Sequence, residues 1–256
     1  MSISLIIRSE LMKLFKRKDV WLMLAMIGIP MLYALGAFFN ASFIEYKASD
    51  KSYALRFVMN MFQFNYGVFI FFFITLLAGV KTLGSEIEDK SIMLSIPRVK
   101  KRGMIYTGKN IAMSIAVVAI NLIFGLTCLL LYYLFLVHRV DLATKVLYVA
   151  KDLPFVLSNI IAIICFYLLL VQFASMLSTF LKPMVASVVG FITIAITMYL
   201  QQIPGVKYFV PGYYISMLSD GNGLEWLTLI NYLICIGVLS IIFYSVGYMT
   251  FSRKDL

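Results

Sequence analysis

The 256-residue chain is 62% hydrophobic and only 13% charged, with a formal net charge of +10. A soluble domain carries roughly 25% charged residues, and a mean hydropathy of +0.94 means more apolar surface than a water-soluble core can bury. The composition excludes an ordinary soluble enzyme and predicts an all-α membrane protein that crosses the bilayer several times.

Residues 1–19 precede the first apolar run. Ile3, Ile7, Leu11 and Leu14 recur at helical spacing with Phe15 beside them, while Ser4, Arg8, Lys13, Lys16 and Arg17 lie mostly on the other side. This predicts an amphipathic helix able to lie in the cytoplasmic interface. A basic segment that merely sets topology accounts for the same residues equally well, and the two roles are compatible.

Six apolar runs follow: Val20 to Phe39, Val58 to Val80, Asn110 to Val137, Phe155 to Leu181, Met184 to Ile203 and Trp226 to Phe251. Each has about the 20 residues needed to cross ~30 Å of hydrocarbon as a helix. The first is longer than the 7–15 residues of a secretory leader and lacks a good cleavage context, so a retained helix is expected. Lys182 and Pro183 alone separate the fourth run from the fifth; proline suits the first turn of a helix, which predicts a tight turn there.

None of the runs contains Asp, Glu, Lys or Arg. A charge at the bilayer centre costs at least ~2.5–3.5 kcal/mol, and proteins accept that cost where ions or protons must pass. Charge-free spans argue against a carrier that couples to an ion gradient through its own core, so the energy source is expected in another molecule.

Orientation follows from the loops. With residue 1 inside, fifteen of the 22 Lys and Arg residues fall on the cytoplasmic side, including Lys81, Lys90, Arg98, Lys100, Lys101, Arg102, Lys109 and Lys182, and seven fall outside, among them Lys47, Lys51 and Lys207. Both termini are therefore expected in the cytoplasm. Charges scattered over loops in this way set topology and do not form a nucleic-acid patch. No loop is long enough for a soluble domain, and residues 1–256 read as one transmembrane domain without internal repeats.

Two loops stand out. Residues 81–109 begin with a charged stretch in which Ser85 and Glu88 have capping-box spacing and Ile87, Ser91 and Leu94 share one side; a short helix is expected, broken by Pro97 and followed by the basic run to Arg102. Residues 204–225 hold Pro204, Pro211 and four glycines, yet are rich in aromatic and aliphatic side chains such as Tyr208, Phe209 and Tyr213. That pattern predicts short helices or turns dipping back into the membrane before the last helix, as irregular backbone does when protein or a water-filled cavity surrounds it.

Catalytic and nucleotide motifs are missing. Gly103 to Asn110 nearly spells a phosphate-binding P-loop, but Asn110 replaces the Mg²⁺-binding Ser or Thr and no strand precedes it; the expected role is a flexible lead into the third helix, with Lys109 as an interfacial anchor. The lone His138 and the cysteines at 128, 165 and 235 make neither a metal site nor a disulfide framework. Uncharged polar residues inside the runs, including Asn65, Asn159 and Gln172, either bond helix to helix or line a substrate path; the pattern leaves both open.

The stretch Glu86, Lys90-Ser91, Ile96-Pro97-Arg98 and Lys109 resembles the first cytoplasmic loop of ABC-2-type exporter permeases, with Lys90-Ser91 where the family has Gly-Thr. The residue motif covers about thirty positions; the layout of six helices, amphipathic N-terminal helix, long first loop and hydrophobic outer loop covers the whole chain. The resemblance implies a coupling helix that docks into a separate ATPase, with Glu86, Glu88, Asp89 and Lys90 as contact candidates and Arg98 steadying the loop. It implies no cofactor in this chain, ATP and Mg²⁺ in two partner ATPase subunits, and a second permease copy, identical or related. It also points to a multi-pass protein of a bacterial plasma membrane, similar to permeases that export amphipathic peptide toxins or expel lantibiotics. A self-powered secondary carrier, or a membrane-embedded enzyme or scaffold, is the alternative.

Overall fold

A computed structural model describes residues 3–39, 51–94, 96–99, 102–221, 223 and 225–254; Lys47, Lys100 and Lys101 lie outside them. Among the described residues there is no strand, only an isolated bridge between Ser52 and Ala143. Six helical stretches among the described residues are long and apolar enough to cross a membrane.

The N-terminal stretch forms α1 (Ile3–Lys16), and Arg17 turns the chain with extended backbone into α2 (Lys18–Leu22). A 3-10 segment, Met23–Ile27, joins α2 to α3 (Gly28–Phe38). Pro30 accounts for it: its ring has no N–H to donate and crowds the carbonyl of Met26, so the preceding turn tightens.

The second run is not one helix. α4 (Ala54–Gly67) and α5 (Phe69–Glu88) meet at Val68, whose backbone is extended (φ −92°, ψ 99°). Gly67 is poorly suited to a helix interior and no neighbouring side chain packs over it, so the chain breaks there although the run contains no charge or proline. α5 alone, with 20 residues, reaches about 30 Å.

The third helix, α6 (Gly103–Leu134), starts seven residues before the expected Asn110 and takes the P-loop-like stretch into its first two turns. Its glycines serve packing: a Cβ on Gly103 would collide with the Tyr248 ring, and one on Gly108 would lie 2.5 Å from Ile6 Cγ2 of α1. α7 (Leu153–Phe180) and α8 (Pro183–Leu200) follow, joined by the expected tight turn, with extended backbone at Lys182 and Pro183 in the first turn of α8. The segment before the last helix supplies a 3-10 turn, Lys207–Phe209, and α9 (Pro211–Ser219), followed by α10 (Glu225–Arg253).

α7 is the axis of the bundle. It packs against α4, α5, α6, α8, α9 and α10 and buries side chains on every face, from Val156 to Thr179, as a helix apolar all round must. Small residues let its neighbours close in: a Cβ on Gly79 of α5 would lie 2.9 Å from Ala174 Cβ, the device helices use where apolar packing in lipid supplies no hydrophobic drive. α8 and α10 instead present exposed apolar faces, including Val185, Ile192 and Tyr199 on one and Ile234, Ile241 and Met249 on the other.

The two ends differ. At one, α1 meets the end of α5 and the start of α6, and the end of α10 joins them: Arg102 donates to the Lys254 carbonyl at 3.2 Å and Lys254 Nζ to the Thr179 carbonyl at 2.8 Å. At the other, Tyr132 Oη donates to the carbonyls of Ser52 and Thr144 at 2.7 and 2.6 Å, and Arg139 to the Ala37 carbonyl at 2.6 Å.

Candidate functional site

The end where α1 docks carries most of the charge chemistry. Lys109 lies in the second turn of α6 and is only 2% exposed. Its ammonium sits 2.7 Å from Glu10 Oε2 and 2.9 Å from Glu86 Oε1. Lys13 closes the ring, 2.8 Å from Glu10 Oε1 and 3.0 Å from Glu86 Oε1. Two carboxylates and two ammonium groups from α1, α5 and α6 thus neutralise one another. The Lys13 pKa is raised: burial by itself would lower it, but bonding and attraction to Glu10 and Glu86 outweigh that.

Two expectations change here. Lys109 is not an interfacial anchor but an enclosed ion-pair partner. The buried stripe of α1 is Ile6, Glu10 and Leu14; of the expected Ile3, Ile7, Leu11 and Leu14 face, Leu14 is buried, Ile7 and Leu11 pack partly buried beside it, and Ile3 is exposed, so the face is turned slightly toward Glu10. Gly108 makes the approach of α1 possible, since any side chain there would meet Ile6. Beyond the ring, the Arg17 guanidinium pairs with Asp19 and donates to Thr82 Oγ1 at 3.2 Å, pinning the α1–α2 elbow to α5.

The loop beyond α5 also departs from expectation. Ser85, Glu86 and Glu88 belong to the last turn of α5. Ser85 caps no helix start; its hydroxyl donates back to the Lys81 carbonyl. No separate α-helix follows among the described residues. The chain turns at Asp89 and at Lys90, which has positive φ (56°), and continues as 3-10 turns Ser91–Leu94 and Ile96–Arg98. Ile92 anchors the loop, fully buried with Leu83, Ile105, Tyr106 and Phe251 in a small core of its own. Glu88, Asp89 and Lys90 are exposed beside Met93 and Leu94, the latter 74% exposed. Sequence reading missed Glu10 and Ile92. Arg98 ends the second turn; its side chain lies outside the described set.

The three polar candidates within the runs occupy separate places. Asn65 is fully buried in α4, and neither of its side-chain polar atoms has a partner among the described residues. Asn159 donates to the carbonyls of Phe155 (2.9 Å) and Leu218 (3.1 Å) and accepts from Gln63 Nε2 (3.0 Å), tying α7 to α4 and α9. Gln172 accepts from Asn110 Nδ2 at 2.8 Å, bridging α6 and α7. Asn159 and Gln172 are 13 residues apart on α7, about 20 Å along the axis, so they do not share one subsite.

Among the described residues no group of His, Cys, Asp and Glu side chains comes together as a metal-ion site would require. The charged end presents a loop anchored by Ile92, with Glu88, Asp89, Met93 and Leu94 exposed, continuous with α5 and tied through a partly buried ion-pair ring to α1 and α6. Comparison with family models and with curated proteins finds no match to this chain.

Proposed function

We propose that the chain is the transmembrane subunit of an ATP-driven exporter in a bacterial plasma membrane, moving hydrophobic or amphipathic peptides outward and powered by a separate ATPase. In this reading the charged end is cytoplasmic, two ATPase subunits carry ATP and Mg²⁺, and a second permease copy completes the transporter. Residues 3–16 form a peripheral helix on the cytoplasmic side, and the segment around α9 dips back from the outer face.

The observation that carries the reading is the loop at the end of α5. Ile92 fixes it to the bundle while Glu88, Asp89, Met93 and Leu94 face outward. A partner that pushes on this face moves α5 directly, and with it the ion-pair ring. Glu86 takes a different part from its neighbours: it transmits within the chain through Lys13 and Lys109, while Glu88 and Asp89 meet the ATPase. Export without ATP hydrolysis by the chain itself also agrees with the absence of any nucleotide motif in its sequence.

The test is purification of the tagged full chain from native membranes, followed by an ATP hydrolysis assay. The expected result is a stoichiometric soluble ATPase in the complex, with hydrolysis stimulated by amphipathic peptides. A chain that purifies without an ATPase and still turns over or transports refutes the proposal.

One alternative has specific support. A secondary carrier uses buried ionisable groups and interrupted helices, and this chain has a buried Lys109–Glu10 pair and a break at Val68. Uptake or efflux driven by an ion gradient in vesicles containing the chain alone establishes that reading in place of the exporter.

A further inference from the structure

Arg17 fixes the height of the α1–α2 elbow. Its guanidinium donates to Thr82 Oγ1 at 3.2 Å and to the Ala78 carbonyl at 3.4 Å, about one and two turns back along α5 from Glu86. α5 carries no charged residue from Phe69 to Val80, and Lys81 is its first. The elbow therefore lies where charge first meets the apolar length of the bundle, the level at which a bilayer changes from hydrocarbon to headgroup.

On the apolar side of this elbow a narrow groove of about 70 Å³ opens between α1, α2 and α6. Leu14 and Phe15 line it from α1, and Val20 and Trp21 from α2. Its floor follows α6 from Ala116 to Ile123, about 10 Å along the axis. Ala116 itself stands seven residues past Lys109, so the floor begins about 10 Å beyond the ion-pair ring. The indole N–H of Trp21 is engaged by the Phe15 carbonyl at 2.7 Å, which leaves the ring to present an apolar face. Phe15 and Trp21 are 65% and 56% exposed, so the groove opens outward to the surrounding medium and not into the bundle.

Lining and level together restrict the occupant. An apolar groove that opens at this depth meets acyl chains, not water. It is too narrow for a partner's helix, which is about 10 Å across. The rim is cationic: Lys16 ends α1 and Lys18 opens α2, both exposed, while Asp19 beside them is neutralised by Arg17. Exposed lysines alone name no ligand, since solvent satisfies them. Here they flank a cleft that takes hydrocarbon, and basic residues at a membrane surface attract anionic headgroups.

We propose that the elbow groove holds one acyl chain of an anionic phospholipid, with the headgroup phosphate on Lys16 and Lys18. The small side chains of Ala116 and Ala119 leave the room that the chain fills. A zwitterionic lipid carries its own cation beside the phosphate and gains less from the two lysines. The inference stands apart from the exporter reading: it needs only the α1 end at a bilayer surface, whatever the chain moves.

The chain has two tryptophans, Trp21 and Trp226, so Trp226→Phe leaves the indole in the groove wall as the sole reporter. The full chain with this change is placed in phosphatidylcholine nanodiscs, one chain per disc. Its fluorescence is followed as dibromoacyl phosphatidylglycerol, or dibromoacyl phosphatidylcholine, replaces the host lipid; bromine quenches only on contact. Phosphatidylglycerol is expected to half-quench Trp21 at a mole fraction about fivefold or more below that of phosphatidylcholine, because one lysine near an anionic headgroup contributes about that factor in affinity. Lys16→Gln with Lys18→Gln should bring the two lipids together. Ala119→Phe fills the groove and leaves both lysines in place, and it should abolish the preference as well. Ala119→Gly keeps the groove open and should retain it, which separates a blocked groove from a damaged helix. Equal quenching by the two lipids in the parent, or a preference that survives loss of both lysines, overturns the proposal. So does a preference that survives Ala119→Phe, since charge alone is then gathering lipid at the surface. Failure of either lipid to quench Trp21 means that the groove is closed to acyl chains and overturns it too.

Discussion

The two ends of the bundle handle charge in opposite ways. At one, Glu10, Lys13, Glu86 and Lys109 come from three helices and neutralise one another within hydrogen-bonding distance. At the other, Asp220 stands without an ionic partner among the described residues, beside a half-polar cavity. The first arrangement consumes its charges to hold helices together and leaves none for a ligand. The second leaves its carboxylate exposed to solvent. An unpaired charge is thus informative only once its exposure is counted: Glu10 and Lys109 are buried and paired, whereas Asp220 is open to solvent, which itself satisfies the carboxylate.

The most damaging change to the near end should be Lys109→Leu. It leaves the 7% exposed Glu10 without its closest cation, and breaking a buried pair costs about 3–5 kcal/mol. Thermal inactivation in detergent should show a large loss, and adding Glu10→Gln to the same chain should recover most of it. If the single change is harmless, the ring is not a structural tie.

Gly108→Val comes next. Its side chain must displace Ile6, and overpacking of this kind costs about 1–3 kcal/mol. Limited proteolysis at the α1–α2 elbow should accelerate as α1 lifts away, while helix content elsewhere is unchanged. Resistance equal to the parent chain contradicts the docking of α1 on α6.

Asn159→Ala should cost less, about 1–2 kcal/mol, because hydrogen bonds between membrane helices average ~0.6 kcal/mol each and this side chain makes three. The loss should appear as faster hydrogen exchange in α9, whose Leu218 carbonyl loses its partner. A loss confined to transport, with exchange in α9 unchanged, would move Asn159 from helix packing to the substrate path.

Much of this fold is legible in the chain. Long charge-free runs have few physical outcomes besides spanning helices, and Pro183 marks the α7–α8 turn because its fixed φ suits a helix start. The break at Val68 was hidden because Gly67 interrupts the second run without a charge or a proline, and the polar Asn60, Gln63 and Asn65 before it are equally compatible with a continuous helix. The start of α6 was hidden because glycine and basic residues from 103 to 109 look like loop until Tyr248 and Ile6 are seen packed on Gly103 and Gly108. Glu10 left one readable trace: it shares an i, i+4 stripe with Ile6 and Leu14 and sits three residues before Lys13, a carboxylate in the middle of an apolar face. Its partners on α5 and α6 depend on tertiary packing, as does the choice of Ile92 over Leu94 as the loop's anchor. The polar groups of the far cavity come from three segments spread between positions 63 and 220, and no local spacing links them.

The central claim is that force enters through the outer face of the loop after α5. The most direct measurement is peptide-stimulated ATP hydrolysis and ATPase retention by the purified complex carrying Glu88→Lys and Asp89→Lys together. Both residues are exposed and make no ion pair among the described residues, so stability should change by no more than about 0.5 kcal/mol while ATPase retention and stimulation collapse. Retention and stimulation at the parent level in a folded double variant would contradict the account.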